Sequence, residues 1–126
     1  MAKHKNATPA ARSRWRLVIR RAAAAEANRF PANTRIFFNL HPAEIADDSL
    51  PGSLRELRDS FAGSQEIVIE VHEGTVADLE TLTWLRNQLK ERGIGLAYDD
   101  FGTGQSRLTE LAEIPPDFIK LDRSLV

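Results

Sequence analysis

Residues 66–98 read EIVIEVHEGTVADLETLTWLRNQLKERGIGLAY, and the fold class turns on this stretch. Glu66 to Val71 is a short apolar run rich in β-branched residues, the composition of a strand covered on both faces. The period then changes. Across Val76 to Arg92, Leu79, Leu82, Leu85 and Leu89 recur three and four residues apart, which places them on one face of an amphipathic helix. Thr75 stands where it can cap that helix, and Gly93 sits where a helix C-cap is expected. Ile94 to Tyr98 is apolar again, a further strand. A buried strand, a crossover helix and a second buried strand imply a parallel sheet covered by helices.

The same alternation extends outward. Upstream, Arg35 to Leu40 (RIFFNL) suits a buried strand, and Leu54 to Phe61 a helix, with Pro51 and Gly52 before it. Ser13 to Asn28 reads as a helix on the spacing of Trp15, Val18, Ile19 and Ala22 and on the alanine run that follows. Downstream, Ser106 to Ala112 is a short helix stopped by Pro115 and Pro116, and Phe118 to Leu121 a fourth strand. This βα period belongs to a (β/α) barrel or a doubly wound sheet. No glycine-rich phosphate loop follows the first strand, which argues against the dinucleotide-binding version.

Composition sets further bounds. The 126 residues, 42% hydrophobic and 28% charged, suit one soluble globular domain rather than a disordered chain. A net charge of -1 gives no bias toward a nucleic-acid polymer. The absence of cysteine excludes a disulfide framework and thiolate metal sites, and fits a reducing cytoplasm. No apolar run approaches the roughly 20 residues of a membrane span. Lys3, Lys5, Arg12, Arg14, Arg16, Arg20 and Arg21 all precede the first acid, Glu26, without the apolar core of a secretory signal. Residues 1–12 are therefore read as a flexible basic tail.

Chemistry enters where each strand stops being apolar. Asn39 lies near the end of the first strand, Glu70 holds that place in the second, Asp99 and Asp100 close the third, and Lys120 falls within the fourth. In a parallel barrel such ends converge on one face, where active sites are built. Buried charges are costly unless paired or bound to metal, so four strands each giving a buried position to such a group want a shared reason. If Asp99 points inward, so do Ala97 and Gly95, small residues that leave room. Glu70 and Asp99 with the amide of Asn39 form a hard-oxygen set suited to Mg²⁺ or Mn²⁺ and poor for zinc. Asp99 beside Asp100 could bridge two such ions, and Lys120 could orient a water or neutralise phosphate. Structural salt bridges at a barrel end are the plain alternative. Asp100 to Gly104 (DFGTG) fits backbone that must turn sharply or approach a ligand.

Tyr98 to Leu111 (YDDFGTGQSRLTEL) followed by Pro116 to Val126 (PDFIKLDRSLV) resembles the EAL family of cyclic di-GMP phosphodiesterases. Phe37 to Pro42 (FFNLHP) is similar to the family's asparagine strand, and Ile69 to Gly74 (IEVHEG) to its E-x-x-E segment. The resemblance implies a modified TIM barrel, present here as a partial barrel of about four parallel strands with flanking helices. It implies metal-dependent hydrolysis of cyclic di-GMP to linear pGpG in bacterial signalling. Asn39, Glu70 and Asp99 would ligate one metal, Asp99 would bridge to a second that Asp100 also binds, and Lys120 would contact the nucleophilic water. Glu73 would steady the loop formed by Phe101, Gly102, Thr103 and Gly104, a loop tied in the family to dimerisation, which makes a homodimer through this region an expectation.

The sequence also departs from the family. No EAL triplet occurs before Asn39, and Glu26 and Glu44 are poor substitutes, read on a helix and a loop. Residues 13–126 are therefore expected to be the central part of the domain, inactive alone, with further βα units missing. His72 replaces the usual threonine, and Gln105 and Arg107 stand where an aromatic and a small residue are usual. A degenerate module that binds the nucleotide or a protein partner is the alternative. His41 and His72 are read as packing or polar-rim residues, and Trp84 as core-facing or amphipathic surface.

Overall fold

The computed structural model describes residues 25–26, 29, 31–61, 65–72, 79–101 and 113–121, apart from the side chains of Asp100, Phe101 and Leu121. The elements run β1 (Arg35–Asn39), α1 (Pro42–Ile45), α2 (Leu50–Asp59), β2 (Glu66–His72), α3 (Leu79–Glu91), β3 (Gly95–Phe101) and β4 (Phe118–Leu121). Neighbouring strands all pair in parallel, in the spatial order β1-β2-β3-β4. The chain is thus α/β, with the four parallel strands and flanking helices that the alternation of periods demands.

Strand alternation sorts the residues onto two faces. One face sends Phe38, Ile67, Ile69, Leu96 and Tyr98 into a single core with Leu54 and Leu57 of α2 and Leu82, Leu85 and Leu89 of α3. The other carries Phe37, Asn39, Val68, Glu70, His72, Gly95, Ala97, Asp99, Phe118 and Lys120. The sheet curls toward this second face. Phe37 and Phe118 sit on the outermost strands, three strand spacings or about 14 Å apart in a flat sheet. Yet their ring centroids lie 5.5 Å apart, edge to face. Such curvature is that of a barrel wall, whose interior is filled by side chains from separate strands.

The end of α3 forms a full Schellman motif. Ile94 N–H donates to Leu89 C=O at 2.9 Å and Gly93 N–H to Lys90 C=O at 3.1 Å, with Gly93 at φ 67°. Leu89 and Ile94 both enter the core, the apolar contact that accompanies this turn. Asp117 then fastens β4 to its neighbours. Its N–H donates to Leu96 C=O at 2.8 Å, its carboxylate accepts from Leu96 N–H at 2.9 Å, and Arg86 of α3 grips the carboxylate with two N–H groups at 2.8 and 3.2 Å. A Cβ on Gly95 would meet Val68 Cγ2 at 3.2 Å and Asp117 Oδ2 at 3.3 Å, so glycine lets these elements approach.

Several boundaries differ from the sequence reading. Helix α2 begins at Leu50 rather than Leu54, since Pro51 is tolerated in a first turn, where no N–H is needed. Glu44 is not on a loop. It is buried in α1, closing a capping box in which His41 Nδ1 accepts from Ala43 N–H at 3.1 Å and Glu44 accepts from His41 N–H at 3.0 Å. Strand β3 runs on to Phe101 instead of stopping at Tyr98. Its register with β4 steps from Tyr98↔Ile119 to Phe101↔Leu121, so Asp99 and Asp100 together oppose Lys120 in a bulge. The helices expected over residues 106–112 and before residue 25, the Thr75 cap and residues 1–12 lie outside the described residues.

Gly93→Ala is expected to lower stability by about 1–2 kcal/mol, the cost of a Cβ in the left-handed region, read as a lower urea midpoint at unchanged slope. Asp117 is held below the usual carboxylate range, first by the hydrogen bond from Arg86 and also by that from Leu96 N–H. A lowered folded value means stability that is present above the unfolded pKa of about 4 and lost as pH falls through the folded one. Acid titration of stability for Asp117→Asn should lack this component.

Candidate functional site

The C-terminal ends of the strands bring the polar residues of the second face to one mouth. Asn39 is the direct partner of Glu70, and Glu70 of Ala97. Asp99 stands two residues beyond Ala97 and opposite His72. With strands about 4.8 Å apart and a rise of about 3.3 Å per residue, the Cα atoms of Glu70 and Asp99 lie roughly 8 Å apart on the same face. Asn39, Glu70 and Asp99 therefore converge on one side of the sheet.

These groups are not equally buried. Glu70 is 4% exposed, whereas Asp99 is half-buried and Asn39 and Lys120 are exposed. The expectation that four strands each give up a buried position holds only for Glu70. Among the described side chains of this set only Glu70 is shut in; Asn39 and Lys120 belong to the outer strands β1 and β4, and Asp99 lies at the end of β3.

Lys120 reaches over β3 to Glu70. Its Nζ donates to Glu70 Oε1 at 2.5 Å, a path left clear by the small side chain of Ala97. The hydrogen bond to Glu70 raises the lysine pKa above its ordinary value, and the charges of Glu70 and Asp99 add to the effect. Both carboxylates therefore act on a single ammonium.

Sequence reasoning passed over the aromatic brace around this lysine. Nζ lies 5.0 Å from the centroid of Phe37, whose ring abuts Phe118 edge-on. The Arg35 guanidinium lies 4.4 Å from the Phe118 centroid and is paired with Glu66 at 2.8 Å. The signal was available. Phe37 precedes Asn39 by two residues and Phe118 precedes Lys120 by two, so alternation puts each aromatic on the face of its polar neighbour.

The donor set suits a hard divalent cation, offering carboxylate and amide oxygens and no thiolate. Among the described residues no group of three or more histidine, cysteine, aspartate or glutamate side chains is placed to hold a metal ion. Glu70 and Asp99 supply two carboxylates and Asn39 a neutral oxygen. The side chain of Asp100, with Glu73, Gly102, Thr103 and Gly104, lies outside what the structure describes. His72 is exposed at the rim beside Asp99, and His41 serves as the cap of α1. Trp84 is 37% exposed on α3 and borders a shallow groove of about 400 Å³ with Asp47, Asp48 and Glu80. That groove is lined by residues of α1, α2, α3 and the turn between α1 and α2, and by no strand residue.

Comparison with known proteins bears on the chain as a whole. The family model described as "EAL domain" matches residues 5–126. An uncharacterised protein of Synechocystis sp. is 41% identical over 92 residues, 71% of this chain and 13% of that protein. The probable cyclic di-GMP phosphodiesterase PdeG of Escherichia coli is 34% identical over 110 residues, 86% of this chain and 22% of that protein. Among solved structures, the EAL domain of Mycobacterium smegmatis DcpA superposes with a TM-score of 0.74 at 33% identity, covering 90% of this chain and 53% of that one. A manganese and cyclic di-GMP complex of Klebsiella pneumoniae BlrP1 gives 0.74 at 30% identity, covering 90% of this chain and 30% of that one. The chain thus spans between about an eighth and a quarter of these two curated relatives.

The Lys120–Glu70 pair has an alkaline signature. A lysine whose folded pKa is raised contributes stability that is complete below its unfolded value of about 10.4 and is lost as pH rises through the folded one. Base titration of the wild type should show this loss, and Lys120→Met should not.

Proposed function

The chain belongs to the EAL domain family, and from that premise we propose that it is the central part of a divalent-cation-dependent cyclic di-GMP phosphodiesterase domain. The observation carrying this reading is the gathering of Asn39, Glu70 and Asp99 on one sheet face at the strand ends, with Lys120 bonded to Glu70. Residues 1–12 form a tail in this reading, and 13–126 the domain portion.

In this proposal Asn39, Glu70 and Asp99 hold one Mg²⁺ or Mn²⁺, and Asp99 and Asp100 hold a second. When bound, the ions would activate water and neutralise charge on the phosphodiester. The remaining work belongs to the chain. Glu70 and Asp99 set the anionic field that selects a hard cation. Lys120 donates an N–H to the attacking water or to a phosphate oxygen, and its raised pKa suits it to donate a proton bond rather than to act as a free base. Glu73 steadies the loop of Phe101, Gly102, Thr103 and Gly104, which approaches the substrate and supports a homodimer. The nucleotide would be opened by hydrolysis of one phosphodiester, giving linear pGpG. No described helix is long and apolar enough to cross a membrane, and we assign the chain to the cytoplasm, where such a second messenger would be found.

Binding without turnover is the second reading, favoured by Gln105 and Arg107, which stand where the family usually has an aromatic and a small residue. Titration calorimetry with cyclic di-GMP, with and without Mg²⁺, and chromatography of the products separate the two. The expected outcome is cation-dependent binding with hydrolysis that is slow or undetectable, and a tenfold or greater loss of binding in Asp99→Asn. Binding that is unaffected by the cation and by that substitution would overturn the placement of the site.

A further inference from the structure

Among the described side chains, Glu70 is the one strand-end carboxylate that cannot turn to water. Its side chain is 5% exposed, so an ionised Glu70 needs a cation beside it at all times. Lys120 meets that need at 2.5 Å, yet 48% of its own side chain faces solvent. The two partners are therefore unlike: the anion is fixed, whereas the cation has room to leave. Asp99 acts on the same ammonium, which places that charge in the field of both carboxylates. This is where a divalent ion held by Glu70 and Asp99 would have its charge.

We infer that Lys120 is a built-in counter-cation for Glu70, and that a divalent cation reaches these carboxylates by exchange with the ammonium. The inference rests on the reading of this mouth as a metal site. Like charges at such separations repel strongly where solvent is partly excluded, so the metal and the ammonium cannot both sit against Glu70 at full occupancy. Phe37, 5.0 Å from Nζ and backed by Phe118, gives the displaced ammonium an aromatic face at the same mouth. The lysine is thereby released toward the position at which it would meet water or phosphate, and the carboxylate is never left bare. Exchange involves no covalent change: the ammonium keeps its proton and one cation replaces another.

The test uses the whole 126-residue chain and two measurements. Mn²⁺ binding is followed by calorimetry for the wild type and Lys120→Met, whose side chain is similar in length and uncharged. Removal of the competing ammonium is expected to tighten Mn²⁺ binding at least tenfold. The second measurement needs no variant, so poor folding of Lys120→Met cannot obscure the answer. The ε-carbon resonance of Lys120, labelled with ¹³C, is followed by NMR as Mg²⁺ is added to the wild type. It is expected to shift in step with Mg²⁺ saturation. Equal or weaker Mn²⁺ binding by a folded Lys120→Met, or a Lys120 resonance that stays put while Mg²⁺ saturates, overturns the exchange and leaves the metal site standing. Failure of both proteins to bind Mn²⁺ overturns the exchange and the metal-site reading together.

Discussion

Glu70 lies between two neighbouring strands and is almost wholly removed from water. An ionised carboxylate is tolerated there only beside a cation. The cation comes from β4, two strands away, so the pair exists only because several other conditions hold. Ala97 must be small enough to be crossed, and the sheet must curl toward this face. β4 must also be docked on β3 in the right register. Asp117 secures the last condition through two hydrogen bonds to Leu96 and the grip of Arg86. A helix on one face of the sheet thus helps fix the geometry of a charge pair on the other.

The two faces divide the labour of the domain. Leucines of α2 and α3 meet the branched residues of β1, β2 and β3 in one core, and this apolar burial supplies most of the driving force for folding. The opposite face is built differently. Ala97 leaves a clear path, Gly95 lets Val68 and Asp117 approach, and on this face stands a column of paired groups running from Glu66 through Arg35, Phe118, Phe37 and Lys120 to Glu70. Cation–π and edge-to-face contacts hold this column without an enclosed apolar core. It keeps a lysine at the mouth of an EAL-type sheet.

Much of this was readable before any coordinates. The strand and helix periods over residues 35–121 give the parallel α/β arrangement, and the leucine spacing of α3 gives its buried face. Gly93 reads correctly as a C-cap. The misreadings have physical causes. α1 escapes the sequence pattern because four residues carry no period, and a histidine is a less familiar cap than serine or aspartate. The apolar run of β3 ends at Tyr98, whereas a bulge carries the strand on through the two aspartates. Glu44 reads as a loop residue because its partner, the His41 backbone N–H, belongs to a turn that the helix itself creates.

The sequence by itself determined which residues share a face. Alternation along a strand is a local property, set by backbone geometry, and it puts Phe37 with Asn39, Val68 with Glu70, Ala97 with Asp99 and Phe118 with Lys120 with no knowledge of packing. Tertiary structure alone decided which of them touch and which of them is buried. Fifty residues separate Glu70 from Lys120, and their contact depends on sheet curvature, a bulge at the double aspartate and the clamp at Asp117. Each of these is a sum over non-local contacts, so no window of sequence contains it.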